Sequence, residues 1–542
     1  MPRRPDAPFA LPVVVLLVAF LIALCLFAAP VEGSAAEAAP GGHADKAEQG
    51  GSAKGEAQSA LPEETRSVTH HVVDTPAGKL RYTATACFLN VDLPGQKAKA
   101  RIFSVSYVLD GARPADRPVT FAFNGGPGSS SVWLHLGVLG PRRVVLPGDG
   151  SAPPPPARLA DNPETWLAFT DLVFVDPVGT GFSRGIPDDA AAERKFWGVK
   201  QDLSSMGEFV RLWLSRNNRW LSPKFLAGES YGTLRAAALS AHLYEAYGAE
   251  LSGLVLLSPI LDYATVLRTE GNDLPYVVAL PTYAATAWKH GRLSARLQAL
   301  PLPQLLAEVE SFCTHDFLRV LYEGEEAPAA ERDAVFKREA EYTGLPEELV
   351  SRLHGRVGPG RFCKELLRDK GLVLGRMDTT VTGPDPDPAS PWPTYDPSLD
   401  SLSGPFAGAV NAYLREELKF SSDMIYEPLS GKVNSAWDFQ SGLDDGQGFV
   451  DVSRALRRAL VLNPHLKVFW AMGRYDLATP YFAARHTIGH LFLPGGLGRN
   501  LTTDYYDGGH MMYTHAAARA ALLSDARGFY RQAAGQAAGG AK

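Results

Sequence analysis

The stretch PKFLAGESYGTLRAAALSAHL, residues 223–243, constrains this chain more than any other. Phe225, Leu226 and Ala227 end an apolar run, Gly228 and Gly232 bracket a turn, and residues 234–243 have helical composition. The turn, G-E-S-Y-G, matches G-x-S-x-G, a strained strand-to-helix corner that lifts a serine hydroxyl above a sheet. A Cβ at either flanking glycine would collide as the helix folds back on the strand. The helix N-terminus also directs partial positive charge at any oxyanion that forms beside Ser230. A strand-turn-helix with an incidental serine is the plainer reading, and the rest of the chain weighs against it.

Four short apolar runs each stop at a loop rich in Gly or Pro. VTFAF ends at NGGPG, LVFVD at PVGTG, KFLAG at the Ser230 corner and LVLLS at Pro259. Helical patterns such as 197–213 lie between them. This alternation predicts an α/β fold, a mostly parallel sheet wrapped by helices, with functional loops at the carboxyl ends of the strands. Upstream, residues 68–73, 80–89 and 98–108 alternate in β fashion around turns at TPAG and LPGQ, which predicts an antiparallel lead-in. After Pro259 the rhythm stops and resumes only at LKVFWAMGRYD. The interval is helical in pattern over 293–317 and 329–352 and holds the Pro-rich piece TGPDPDPASPWPTYDP. A last strand is expected at 501–506 and a closing helix at 516–532. The division that follows is a core of 65–262 and 463–534, with a mainly helical cap insertion over 263–462.

At the N-terminus, Arg3 and Arg4 precede FALPVVVLLVAFLIALCLFAA, residues 9–29. Residues 1–36 therefore read as an export signal cleaved near Ala35 or Ala36, or as a retained membrane anchor. Residues 37–64, rich in Ala, Gly, Glu and Lys, cannot bury a core and read as a linker. The protein is placed outside the cytoplasm: secreted, periplasmic or in the cell envelope. A net charge of −6 without a long basic run argues against nucleic acid as a partner. With Cys25 in the apolar segment, three cysteines remain. Cys313 and Cys363 fall in one helical region and are the pair to expect in a disulfide; three unpaired, mostly buried thiols are the alternative. No zinc-binding H-E-x-x-H and no phosphate loop occurs, so neither metal nor cofactor is expected.

A serine hydroxyl is a weak nucleophile and needs a base, usually His, oriented by a carboxylate. At a corner of this kind the chain order is Ser, then Asp or Glu, then His. Asp476 in MGRYDLATP follows the strand KVFWA, and His510 in DYYDGGHMMY follows the strand LTTDYY. Both lie at strand-end loops. His486, His490 and His515 are rivals in helical contexts, read as surface or core histidines. Asp507, three residues before His510, is read as a loop-shaping acid. The catalytic set expected is Ser230, Asp476 and His510.

The ordered motifs FNGGPGSSS, FVDPVGTGFS, AGESYG, GRYDLATP and DGGHM resemble those of the serine carboxypeptidase family of α/β-hydrolases. The resemblance runs from about Val119 to Met511, loosely through the insertion. It implies an α/β-hydrolase fold and removal of C-terminal residues from peptides through an acyl-enzyme on Ser230. It carries the oxyanion donors onto the N–H groups of Gly126 and Tyr231. It carries the site for the substrate's terminal carboxylate onto Asn124, Gly125 and Glu229. Three departures stand out. Ser129 replaces a usual Cys, Val138 stands in the register of a second Glu, and MMYTHAAA lacks a usual Pro. An esterase or acyltransferase on the same fold is the alternative reading, and a non-catalytic binding protein is the reading from another class.

Overall fold

The computed structural model describes residues 63–93, 97–442 and 448–535. The signal or anchor expected over 1–36, and all but the last two residues of the linker expected over 37–64, lie outside them. Among the described residues no helix is long and apolar enough to cross a membrane.

The three alternating runs form β1 (Arg66–Thr75), β2 (Gly78–Asp92) and β3 (Lys99–Leu109), paired antiparallel in sequence order. The short apolar runs form β4 (Val119–Phe123), β5 (Asp171–Val175), β6 (Lys224–Glu229) and β7 (Gly253–Leu257). After the insertion come β8 (Lys467–Gly473) and β9 (Leu501–Tyr506). The sheet order is β1-β2-β3-β5-β4-β6-β7-β8-β9, with a short strand Arg184–Ile186 beside β3. From β5 to β9 every neighbouring pair is parallel. This is the α/β-hydrolase architecture that the motifs imply.

The parallel strands read as unbroken apolar runs because both faces are covered. In β4, Phe121 and Phe123 belong to one core layer and Ala122 to the other. Leu254 and Leu256 divide from Val255 and Leu257 in the same way, as period-two geometry requires. The first layer is closed by α1 (Val199–Arg216) and α2 (Tyr231–Tyr247). The second is closed by the C-terminal helix Ala516–Ala533, through Leu522, Phe529 and Tyr530.

The insertion serves three cores. Residues between Val277 and Leu374 build a third apolar cluster of their own. Phe406, Val410 and Tyr413 join the second layer, and Val433, Leu456 and Leu460 join the first. The helical patterns over 293–317 and 329–352 are each broken. Pro301 precedes the helix Leu302–Phe312, and Gly344, at φ +68°, ends the helix Ala329–Thr343 two residues before Pro346. Proline removes an N–H donor, and glycine takes the left-handed cap that other residues avoid. The expected Cys313–Cys363 disulfide does not form: both thiols are free and buried in the insertion's own apolar cluster, as small hydrophobes.

One buried ion pair ties the helices to the strand ends. Arg235 on α2 donates from Nε to Asp202 on α1 at 2.7 Å and from Nη1 to the Asn124 carbonyl at 2.8 Å. Both partners of the ion pair are at most 2% exposed. Removing one partner strands the other charge in the core, at about 3–5 kcal/mol. Asp202→Asn should therefore lower the urea midpoint by an amount corresponding to about that loss.

Candidate active site

Ser230 is the first link between fold and site. It occupies φ +59°, ψ −129°, between β6 and α2. Non-glycine residues rarely adopt a positive φ, so the corner is held by its surroundings. The Ser230 N–H donates to the Leu257 carbonyl at 3.1 Å, and its own carbonyl accepts from the Thr233 N–H at 2.8 Å. A Cβ on Gly228 would overlap the Gly232 carbonyl, and one on Gly232 would stand 2.5 Å from the Phe123 carbonyl. The bracketing glycines are thus required by close backbone approach.

The NGGPG loop lies directly against this corner. A Cβ on Gly125 would stand 2.5 Å from the Tyr231 nitrogen and 2.7 Å from the Ser230 Cβ. The N–H groups of Gly126 and Tyr231 donate to no group among the described residues. Asn124 is fixed on three sides. Its carbonyl accepts from Arg235, its Oδ1 accepts from the Leu134 N–H at 3.0 Å, and its Nδ2 donates to Glu229 Oε1 at 2.8 Å. Asp176, at the end of β5, accepts from the N–H and hydroxyl of Ser131 at 2.9 and 2.8 Å and so anchors the far end of the loop.

Asp476 and His510 meet at the carboxyl ends of β8 and β9. His510 Nδ1 lies 2.7 Å from Asp476 Oδ2, and both side chains are almost fully buried. Beside a carboxylate this nitrogen carries the proton, which leaves Nε2 as the basic atom. Nε2 has no partner among the described residues. Asp476 is held in turn by the N–H groups of Ala478 and Thr479, at 2.7 and 2.9 Å, and by the Thr479 hydroxyl at 2.8 Å. Burial disfavours the imidazolium, but the Asp476 carboxylate outweighs it and holds the His510 pKa above its ordinary value. Ser258, at the end of β7, ties the two loops together. Its hydroxyl donates to the His510 carbonyl at 2.7 Å and its carbonyl accepts from the Thr479 hydroxyl at 2.9 Å.

A cavity of about 410 Å³ is lined by Asn124, Gly125, Gly126, Glu229, Ser230 and His510. The expected residues thus converge on one space, with Asp476 behind His510 and Tyr231 beside Ser230. The rivals lie elsewhere. His486 stacks on His490, Asp507 pairs with Arg474, and His515 pairs with Asp378.

The serine carboxypeptidase family model matches residues 93–299, the segment that holds the NGGPG loop and the Ser230 corner. That segment is similar to serine carboxypeptidases. A serine carboxypeptidase-like 2 protein of Arabidopsis thaliana is 28% identical over 185 residues, covering 31% of this chain and 38% of that protein. A serine-type carboxypeptidase F of Aspergillus niger is 29% identical over 168 residues, covering 30% of this chain and 29% of that one. The matched stretch thus spans less than half of these serine carboxypeptidases. A solved prohormone-processing carboxypeptidase from Saccharomyces cerevisiae is 17% identical and covers 82% of this chain and 92% of its own, with a TM-score of 0.48.

In the register where serine carboxypeptidases usually carry a second Glu, Val138 is buried in the second core layer. The space beside Glu229 is filled from elsewhere. The Tyr513 ring packs against Gly137, where a Cβ would stand 2.7 Å from its Cε2, and its hydroxyl neighbours the Glu229 carboxyl. Neither that hydroxyl nor Glu229 Oε2 has a hydrogen-bond partner among the described residues. Burial pushes the Glu229 pKa up to about 7, against the opposing pull of His510, Tyr513 and Asn124.

Sequence reasoning missed Tyr513, Thr479 and the segment 377–378 of the insertion. The Met377 carbonyl accepts from the His510 N–H at 2.6 Å, and Asp378 Oδ2 accepts from the Gly509 N–H at 3.0 Å. A Cβ on Gly509 would overlap the Met377 carbonyl. The Gly pair before His510 was the only signal of this crossing.

Two outcomes follow. Gly125→Ala drives a methyl group into the backbone of the corner, so kcat/KM should fall by about 10²-fold or more while far-UV circular dichroism is unchanged. The folded pKa of Glu229 exceeds its unfolded value, so the folded state keeps a proton that the unfolded chain releases. Stability is therefore lost as pH rises from about 4.5 to about 7, by roughly 3 kcal/mol. Glu229→Gln should raise the unfolding free energy at pH 8 by about that much more than at pH 4; equal changes at both pH values would contradict this origin.

Proposed function

We propose that the chain is a serine carboxypeptidase that removes C-terminal residues from peptides. The observation that carries this reading is the single cavity in which a corner serine, an Asp-held histidine and a buried Asn124–Glu229 pair come together. The first two suit acyl transfer in general, and the third suits a substrate with a free carboxyl terminus.

In this reading His510 Nε2 takes the proton from the Ser230 hydroxyl as Oγ attacks the last peptide carbonyl. The Asp476 carboxylate stabilises the imidazolium that forms. The oxyanion accepts from the N–H groups of Gly126 and Tyr231, donors each worth about 10²–10³ in rate. Collapse breaks the C–N bond, and His510 gives its proton to the departing amine, leaving an acyl-enzyme on Ser230. Water, deprotonated by the same Nε2, releases the shortened peptide. The terminal carboxylate of the substrate accepts from the Asn124 amide, the Gly125 N–H and a protonated Glu229. A pKa of about 7 keeps Glu229 neutral, and hence a donor, in acidic solution. We also propose that the N-terminal 36 residues direct export, after which cleavage releases the protein or retention anchors it.

Ser230→Ala should abolish hydrolysis of a blocked dipeptide acid and labelling by a fluorophosphonate, with the melting temperature unchanged or slightly raised. Activity within tenfold of wild type would sink the nucleophile assignment. The pH profile tests Glu229. For a blocked dipeptide acid, kcat/KM should be greatest below about pH 7, because ionised Glu229 repels the substrate carboxylate by about 4 kcal/mol at 4 Å and an effective dielectric near 20. For the corresponding ester, kcat/KM should instead rise with pH as His510 loses its proton. Superimposable profiles would show that Glu229 does not read the terminus, and an esterase or acyltransferase would then be the better description.

A further inference from the structure

The wall of the cavity above Ser230 holds a cation that this mechanism does not use. Arg376 lies in the insertion, on the loop between the short strands Leu372–Leu374 and Thr382–Pro384. Its backbone is fixed: the N–H donates to Asp396 Oδ2 at 3.1 Å, and the carbonyl accepts from the Leu477 N–H at 3.0 Å. The next residue, Met377, holds the His510 backbone, so Arg376 is pinned one residue from the catalytic loop. Its side chain lines the cavity with Ser230 and Glu229 and makes no hydrogen bond or ion pair among the described residues.

The nearby acids are already engaged. Asp396 uses Oδ2 on the N–H groups of Arg376 and Met377 and Oδ1 on Ser398. Asp378 is shared by His515, the Gly509 N–H and Thr380. A second guanidinium, Arg268, feels the Arg376 charge and also has no carboxylate partner among the described residues. Its Nη1 donates to the Val266 carbonyl at 3.0 Å, while its buried Nε has no acceptor. The exposed Arg376 guanidinium is therefore free to pair with an arriving carboxylate, with a gain that solvent limits to that of a surface ion pair. The cavity wall also carries the apolar side chains of Ile260, Val266, Leu399, Leu429 and Met511 and the ring of Tyr263.

Resting on the carboxypeptidase reading, we propose that Arg376 forms a second carboxylate subsite, separate from Asn124 and Glu229, that takes the side chain of an Asp or Glu flanking the scissile bond. A planar guanidinium matches a carboxylate through two parallel hydrogen bonds, whereas apolar walls match the aliphatic stem of the same residue.

The test compares blocked dipeptide acids that carry Glu or its neutral isostere Gln at the last or the penultimate position. Wild type should favour Glu over Gln in kcat/KM by about five- to tenfold at one of the two positions. The preference should shrink with added salt, because the guanidinium is exposed at the cavity wall. Arg376→Gln should bring the ratio to about one, and Arg376→Glu should reverse it in favour of Lys. A wild-type ratio of about one at both positions overturns the subsite. So does a loss in Arg376→Gln that is equal for Glu and Gln peptides and erases the preference for a peptide acid over its amide, because Arg376 would then read the chain terminus. Ser230-dependent cleavage without a Glu preference defeats the subsite alone. Absence of cleavage of every dipeptide acid, with ester hydrolysis still dependent on Ser230, defeats the carboxypeptidase reading and the subsite with it.

Discussion

The site depends on two stretches of backbone lying at contact distance, the NGGPG loop after β4 and the Ser230 corner after β6. Where they meet, a Cβ on Gly125 would stand 2.5 Å from the Tyr231 nitrogen. Such approach is open only to glycine, and it sets two unused N–H groups beside one serine. The buried Arg235 fixes the spacing from behind, since it grips the Asn124 carbonyl and the α1 carboxylate of Asp202 together. The positive φ of Ser230 is sustained by this crowding, through the Leu257 carbonyl on one side and Thr233 on the other.

Around that contact, electrostatics divide the labour between two buried carboxyls. Asp476 accepts from two backbone N–H groups, the Thr479 hydroxyl and His510, so its charge is satisfied and available to a cationic imidazole. Glu229 is enclosed, and its burial outweighs the stabilisation that Asn124, Tyr513 and His510 give its carboxylate, so it holds a proton up to about pH 7. Two buried carboxyls with such different partners take different tasks. The insertion then completes the site. It crosses the His510 loop at Met377 and Asp378 and brings Arg376 to the cavity wall.

Much of this architecture is legible in the order of the residues. The four apolar runs and their glycine-rich ends mark β4 to β7, because strands buried on both faces must be apolar throughout and must stop at loops that can turn. Ser230, Asp476 and His510 can be singled out because each stands at a strand end, in an order that a corner serine imposes. The helices of the insertion are legible as periodicity but not in their breaks, where Pro301, Gly344 and Pro346 override it. The cysteines mislead, because two thiols in one helical region fit an apolar cluster as well as a disulfide.

The sequence by itself determined the strand-helix rhythm, the corner and the identity of the groups at the strand ends, since these rest on local spacing and backbone chemistry. Only the tertiary structure decided what neighbours those groups. Tyr513, rather than a second carboxylate at Val138, stands beside Glu229, because a ring from beyond the His510 loop packs onto Gly137. Thr479 and Ser258 bind the acid loop to the histidine loop, and the segment 376–378, more than a hundred residues downstream of Ser230, reaches the site from the insertion. Contacts between residues so far apart leave no periodic trace in sequence; they exist only once packing has brought the backbones together.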